Sequence, residues 1–241
     1  MQLYFIRHGQ SSNNAIYAAT GNDQGRSEDA ELTATGKEQV KVLANYIADH
    51  HAQKPILSRN NQNEEGYFFT HLYTSPMVRA AATAMAVASA LNKNLTCWLD
   101  LHETGGIFLE DPQSGAFNGL PGKNRTYFHE HFPGLQLPDD FNKSGWWNRP
   151  FEPLEERPIR ARRVLRRLLE MHGGTGDSVV FVSHGGFYNH FLDAVMRLPS
   201  NDSIFFRLYN TGITRIDFEP EFTMLVYQNR ISHLPLELIS D

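Results

Sequence analysis

Short apolar runs alternate along this chain with longer stretches whose apolar residues recur at helical spacing. Gln2–Ile6 is a run of aromatic and β-branched residues, the pattern of a short buried strand, and it stops at Arg7-His8-Gly9. After a loop rich in Gly, Asn and Asp, "LTATGKEQVKVLANYIADH" places Val40, Leu43, Ala44 and Ile47 at i, i+3, i+4 and i+7, which predicts a helix lying on a core. Residues 52–66 are polar and Asn-rich and read as a loop insertion. "YFFTHLYTSPMVRAAATAMAVASAL" predicts a strand, a turn at Thr74-Ser75 and an Ala-rich helix, with Ser75 suited to the N-cap and Pro76 to the first helical position. A short strand, "LTCWLD", precedes "LHETGG".

Residues 105–153 contain many glycines and prolines together with Trp146 and Trp147, and show little periodicity. They read as an excursion out of the core. "PIRARRVLRRLLEM" turns helical again, with Val164, Leu165, Leu168 and Leu169 on one face and the arginines at 160, 162, 163, 166 and 167 expected on the solvated one. "SVVFVSHGG" reads as a buried strand, "FYNHFLDAVMRL" as the helix after it, and "GITRIDF" with "FTMLVYQNR" as a closing hairpin. This alternation predicts an α/β fold. The expected architecture is a single domain over 1–241 in three layers, with a mainly parallel central sheet, helices on both faces and a lid inserted at about 105–153.

Composition narrows the partners. At 241 residues, 41% hydrophobic, the chain can bury one full core, and a formal net charge of −5 lacks the basic excess of a nucleic-acid-binding protein. Cys97 is the only cysteine, which excludes an intrachain disulfide or a cysteine-based metal cluster and suits a reducing compartment. No run reaches the roughly 18 apolar residues of a membrane span. The N-terminus meets Arg7 too early for a secretory leader. The expectation is a soluble, cytoplasmic protein with neither nucleic acid nor membrane as partner.

Three predicted strand exits carry the chemistry. Ile6 leads into Arg7-His8-Gly9, Tyr73 into a helix start bearing Arg79, and Val182-Ser183 into His184-Gly185-Gly186. Ligands of open α/β sheets bind beyond the carboxyl ends of the strands, so neighbouring parallel strands would gather these residues. Two guanidinium forks match phosphate oxygens, a neutral imidazole is a nucleophile toward phosphorus, and Gly9, Gly185 and Gly186 allow close approach of backbone N–H groups to an anion. Such donors spread the charge of a transferring phosphoryl group without requiring a metal ion or cofactor. A leaving alkoxide needs a proton, and Glu103, after "LTCWLD", is the carboxyl placed to give it.

"RHGQSSN", "TSPMVRAAATA" and "VSHGGF", in this order and spacing, resemble the histidine phosphatase superfamily in its phosphoglycerate-mutase-like branch. "LTATGKEQ", "NTGITRIDF" and "NRISHLP" are similar to it as well. The resemblance covers about residues 1–48, 68–106 and 157–235. It implies that His8 is the phosphorylated nucleophile, that Arg7, Arg79 and His184 hold the phosphoryl group, and that Glu103 is the acid residue before the lid. Asn14 then matches a pocket asparagine, Thr20-Gly21 fall in a loop that touches ligand, and Gly185 lies at the anion site. Two departures from the mutase pattern favour a phosphatase. Gly106 stands where a mutase has tyrosine, and between 107 and 153 only Arg125 and Arg149 occur, singly, where a mutase lid pairs arginines. The implied activity is metal-independent hydrolysis of a small-molecule phosphomonoester, with phosphoglycerate mutase as the alternative.

Phe117, Tyr127, Phe128, Phe132, Trp146, Trp147 and Phe151 either wall an apolar pocket over the phosphate or form the lid's own small core. His129-Glu130-His131, His50-His51 and His190 raise a metal-hydrolase reading, but no HExxH pattern accompanies them. A binding protein that keeps the fold without the chemistry would have lost the nucleophile or the acid, and both are present.

Overall fold

The computed structural model describes residues 1–52, 62–199 and 204–241, so most of the polar insertion expected at 52–66 lies outside the described residues. The chain runs β1 (Gln2–Arg7), α1 (Ser12–Thr20), α2 (Ala34–Asp49), β2 (His71–Thr74), α3 (Val78–Ala90), β3 (Leu95–Cys97), β4 (Phe108–Glu110) and β5 (Phe117–Gly119). It continues through α4 (Arg125–His131), β6 (Leu135–Gln136), α5 (Glu156–His172), β7 (Ser178–Ser183), α6 (Gly185–Met196), β8 (Ile213–Phe218) and β9 (Thr223–Arg230).

The central sheet has the order β6-β3-β2-β7-β1-β8-β9. The pairs from β6 to β1 are parallel, and β8 and β9 close it as the antiparallel hairpin that the sequence predicts. Alternate residues of β1 feed opposite faces. Tyr4 and Ile6 join Leu43, Ile47 and the alanines of α3, while Leu3 and Phe5 join Val164 and Leu168 of α5 and Phe187 and Phe191 of α6. A strand covered on both faces reads as a continuous apolar run, as β1 and β7 do. The α/β architecture is therefore as expected.

Four expectations need correction. α1 lies within the predicted loop; it buries none of its residues and so shows no apolar stripe, and a reciprocal Ser11–Asn14 capping box starts it. α3 begins at Val78 with Met77 as N-cap, so Ser75 is not the cap and Pro76 is not the first helical residue, although Ser75 Oγ accepts the Met77 N–H at 3.2 Å. The excursion is not wholly outside the core. β6 pairs with β3 at the sheet edge, and Phe128, Phe132, Trp146 and Trp147 pack into the cluster beneath α2 and α3.

The fourth correction concerns Arg160, which is buried rather than solvated. Its Nε and Nη2 donate to Glu152 Oε1 and Oε2 at 2.6 and 2.8 Å, and its Nη1 donates to the carbonyls of Asp100 and His102 at 2.7 and 2.8 Å. With four of its five N–H donors matched in this way, the guanidinium recovers much of the cost of burying its charge. It also ties the end of the excursion to the segment that carries Glu103.

Candidate active site

β2, β7 and β1 lie side by side and parallel, with Thr74 and Ile6 both opposite Val182. Their carboxyl ends therefore open at one edge, where His8, Ser75 and His184 emerge together and the first turn of α3 supplies Arg79.

His8 is buried, and its Nδ1 lies 2.7 Å from the Gly9 carbonyl oxygen. A carbonyl only accepts, so Nδ1 carries the proton and Nε2 keeps its lone pair. Arg79 Nε donates to that lone pair at 3.0 Å. Burial, followed by the charges of Arg79 and Arg7, holds the imidazole well below the usual histidine range, so it is neutral at neutral pH. Asn210 Nδ2 donates to the His8 carbonyl at 3.1 Å and fixes the turn.

His184 packs beside it, with ring centroids 5.0 Å apart. Ser75 Oγ accepts from Met77 N–H and lies 2.8 Å from His184 Nε2, within hydrogen-bond distance. The other ring nitrogen, Nδ1, is buried with no protein partner. Arg7 Nε is likewise buried and unpartnered, although its Nη1 reaches the Leu208 carbonyl and Asp241. Buried polar nitrogens left without partners are costly, and here they flank the His8 Nε2 lone pair. Behind Arg79 lies Asp29, 4.0 Å from its Nη1, whose carboxyl is pushed up to about 6 by burial in spite of that cation.

Glu103 Oε1 accepts the N–H groups of Thr104 and Phe187, both at 2.8 Å, and Oε2 accepts that of Gly186 at 3.0 Å. The carboxylate thereby caps α6 and is fixed at the cavity wall. A Cβ on Gly186 would fall 2.5 Å from Oε1, which is why glycine stands there. Gly185 opens α6 beside Arg7, whose Nε would lie 3.5 Å from an added Cβ. Asn14 lines the cavity, but its Oδ1 is taken by the Ser11 N–H and hydroxyl. Thr20 and Gly21 are exposed at the end of α1, outside the lining, while Tyr17 and Ala18 of the same helix face in.

The cavity has a volume of about 730 Å³ and contains His8, Arg7, Arg79 and Glu103. Sequence reasoning missed Arg26 and Arg157, which also line it. The aromatic residues of the excursion divide between both readings. Phe117 and Phe151 face the cavity with Phe108, whereas Phe128, Phe132, Trp146 and Trp147 serve the core. Arg125 donates to the Pro138 carbonyl at 2.6 Å and Arg149 stacks over Trp147 at 3.8 Å; neither lines the cavity.

Gly106 has φ +77°, and a Cβ there would lie 2.2 Å from the Trp147 ring. Trp147 thus covers the position that tyrosine holds in the mutase pattern. Gly106→Ala is expected to lower stability by about 2 kcal/mol, through left-handed strain and overpacking, as read by urea denaturation.

Among the described residues, one group of histidines and carboxylates brings three ligand atoms within 4.8 Å of one another: His71, His172 and Asp177. His172 Nδ1 bonds Asp177 at 2.8 Å and its Nε2 meets Tyr73 OH at 3.1 Å, so its donors are already matched. None of the histidines that raised a metal reading joins it. No helix among the described residues is long and apolar enough to cross a membrane.

Residues 3–230 match the family model of the histidine phosphatase superfamily (branch 1). A probable phosphoglycerate mutase, GpmB, of Photorhabdus laumondii is 24% identical over 91% of this chain and 86% of its own. A putative phosphoserine phosphatase 2 of Hydrogenobacter thermophilus is 25% identical over 96% and 97%. Among solved structures, the phosphoserine phosphatase of Entamoeba histolytica in complex with 3-phosphoglyceric acid superposes with a TM-score of 0.59 at 21% identity, over 97% of this chain and 99% of that one. The alpha-ribazole phosphatase of Shigella flexneri gives 0.61 at 22%, over 95% and 96%.

Proposed function

The chain belongs to the histidine phosphatase superfamily, branch 1, and from that premise we propose that it hydrolyses small phosphomonoesters through a phosphohistidine on His8. The observation that carries this reading is the His8 Nε2 lone pair set beside Arg7 Nε, a buried donor without a partner, and His184 Nδ1, likewise buried and unpartnered. An incoming phosphoryl group satisfies both and draws Arg79 onto its oxygens. His8 Nε2 then attacks phosphorus as the P–O ester bond breaks, and Glu103 gives the leaving oxygen its proton. Oε2, with one backbone hydrogen bond to the two on Oε1, is the oxygen with room for that proton. Water next attacks the phosphohistidine, the P–N bond breaks, and the same carboxylate takes the proton of the water.

The charge of the transferring group is met by guanidinium and imidazole donors, so excess EDTA should leave turnover intact. Hydrolysis over transfer is supported by Trp147 on Gly106, where the mutase pattern has tyrosine. The lone, buried Cys97 suits the reducing cytoplasm as the place of work.

The test is to quench the protein with ³²P-labelled substrate in EDTA and follow the label. An acid-labile, base-stable phosphoprotein that decays to inorganic phosphate is the expected result. Loss of all labelling in EDTA would overturn the reading. With 3-phosphoglycerate as substrate, formation of 2-phosphoglycerate in place of phosphate would return the assignment to a mutase.

A further inference from the structure

Beyond Arg7 and Arg79, two further cationic side chains line the active-site cavity. Arg7 faces Asp241 and Arg79 faces His8 and Asp29. Arg26, in the loop after α1, and Arg157, in the first turn of α5, line the same cavity, and neither makes an ion pair or a side-chain hydrogen bond among the described residues. The Nε of each is buried with no partner.

Their setting is built. The Arg26 guanidinium lies 4.1 Å over the Phe108 ring and that of Arg157 lies 5.6 Å over Phe151. The two rings touch edge-on, with centroids 4.6 Å apart, and Phe117 stacks on Phe151 at 4.7 Å. Stacking on aromatic faces orients a guanidinium but uses none of its in-plane N–H donors. The charge cannot be shed, because arginine stays protonated in proteins. Nor does the cavity supply the missing acceptor. Among the described residues no carboxylate forms an ion pair with either guanidinium: Glu103 is held by three backbone N–H groups, Asp241 faces Arg7 and Arg207, and Asp23 acts on Arg26 only through its charge. The Arg26 guanidinium feels Asp23 first and then Glu103, and that of Arg157 feels Glu152 first and then Glu103, and both line the cavity that holds His8.

We propose that Arg26 and Arg157 form a second anion subsite. The substrate is then a phosphomonoester whose leaving group has an apolar body, held against Phe108, Phe117 and Phe151, and a second anionic group, held by the two guanidinium forks. The substrate class rests on the phosphatase reading; the subsite does not, because it is defined by binding.

The test is therefore an equilibrium one. Wild-type protein is titrated calorimetrically with two unhydrolysable compounds, benzylphosphonate and 4-(phosphonomethyl)benzoate, which differ by one carboxylate. The carboxylate should tighten binding by roughly tenfold or more, the scale of a charge-assisted hydrogen-bonded pair. Arg26→Gln and Arg157→Gln should each remove most of that gain, and Arg26→Lys and Arg157→Lys should keep part of it. Equal affinity of the wild type for the two compounds, or an unchanged preference in both glutamine variants, overturns the proposal. A preference of this kind in a protein that turns over no phosphomonoester would uphold the subsite and sink the phosphatase reading. Binding of neither compound would sink both.

Discussion

On the proposed reaction His8→Ala lowers kcat/KM for p-nitrophenyl phosphate by at least about 10⁴-fold, because removing the covalent nucleophile closes the route rather than weakening one contact. The site makes the reason specific. Alanine leaves Arg7, Arg79 and His184 in place to bind phosphate, yet no lone pair remains in line with phosphorus. Phosphate or vanadate should therefore still bind the variant while turnover is lost. A variant that retains turnover within tenfold would show that His8 is not the nucleophile. If EDTA also abolished that residual activity, the chemistry would lie with a metal site. The measurement is a pair of progress curves, wild type and variant, each with excess EDTA.

Acid should destabilise the fold steeply, starting just below pH 6.5. Burial holds His8, His102 and His184 well below the usual histidine range and takes His233 to about 4. In the unfolded chain each imidazole recovers a pKa near 6.5. Below that pH the unfolded state binds protons that the folded state does not, so stability falls as pH falls, by about 1.4 kcal/mol per pH unit for each group. Asp29 works the other way. Its folded pKa, about 6, is raised, so its contribution grows as pH drops through 6, and it offsets less than one histidine. Between pH 7.5 and 5.5 the net loss should be about 5 kcal/mol, a large share of an ordinary domain's stability. Urea denaturation at the two pH values measures it. The His8→Ala variant should lose about a quarter of the slope. A flat response from pH 7.5 to 5.5 would mean that these imidazoles are not held neutral.

Much of this is legible in the amino-acid sequence. β1 and β7 announce themselves as unbroken apolar runs, and the charged residues at their ends stand where a parallel sheet delivers ligands. Arg160 was misread although its signal was present. It precedes Val164 by one turn, on the face that also buries Ala161 and Leu168, while Leu169 is exposed. The run of neighbouring arginines disguised it as part of a solvated surface. α1 left no trace because it turns no apolar stripe inward. Arg26 and Arg157 were beyond sequence reasoning for a different reason. One sits in an irregular loop and the other at a helix start, and only the fold brings them to the same aromatic rings.

The hydrogen bond from Arg79 to His8 Nε2 has a consequence for chemical selectivity. While that guanidinium holds the lone pair, the imidazole is a closed gate to neutral electrophiles, which offer Arg79 nothing in exchange. A phosphate dianion offers a stronger acceptor, takes the arginine onto its own oxygens and opens the gate by the act of binding. On the proposed reaction, discrimination between charged monoesters and uncharged triesters is thus exercised at the nucleophile itself, before any bond to phosphorus forms.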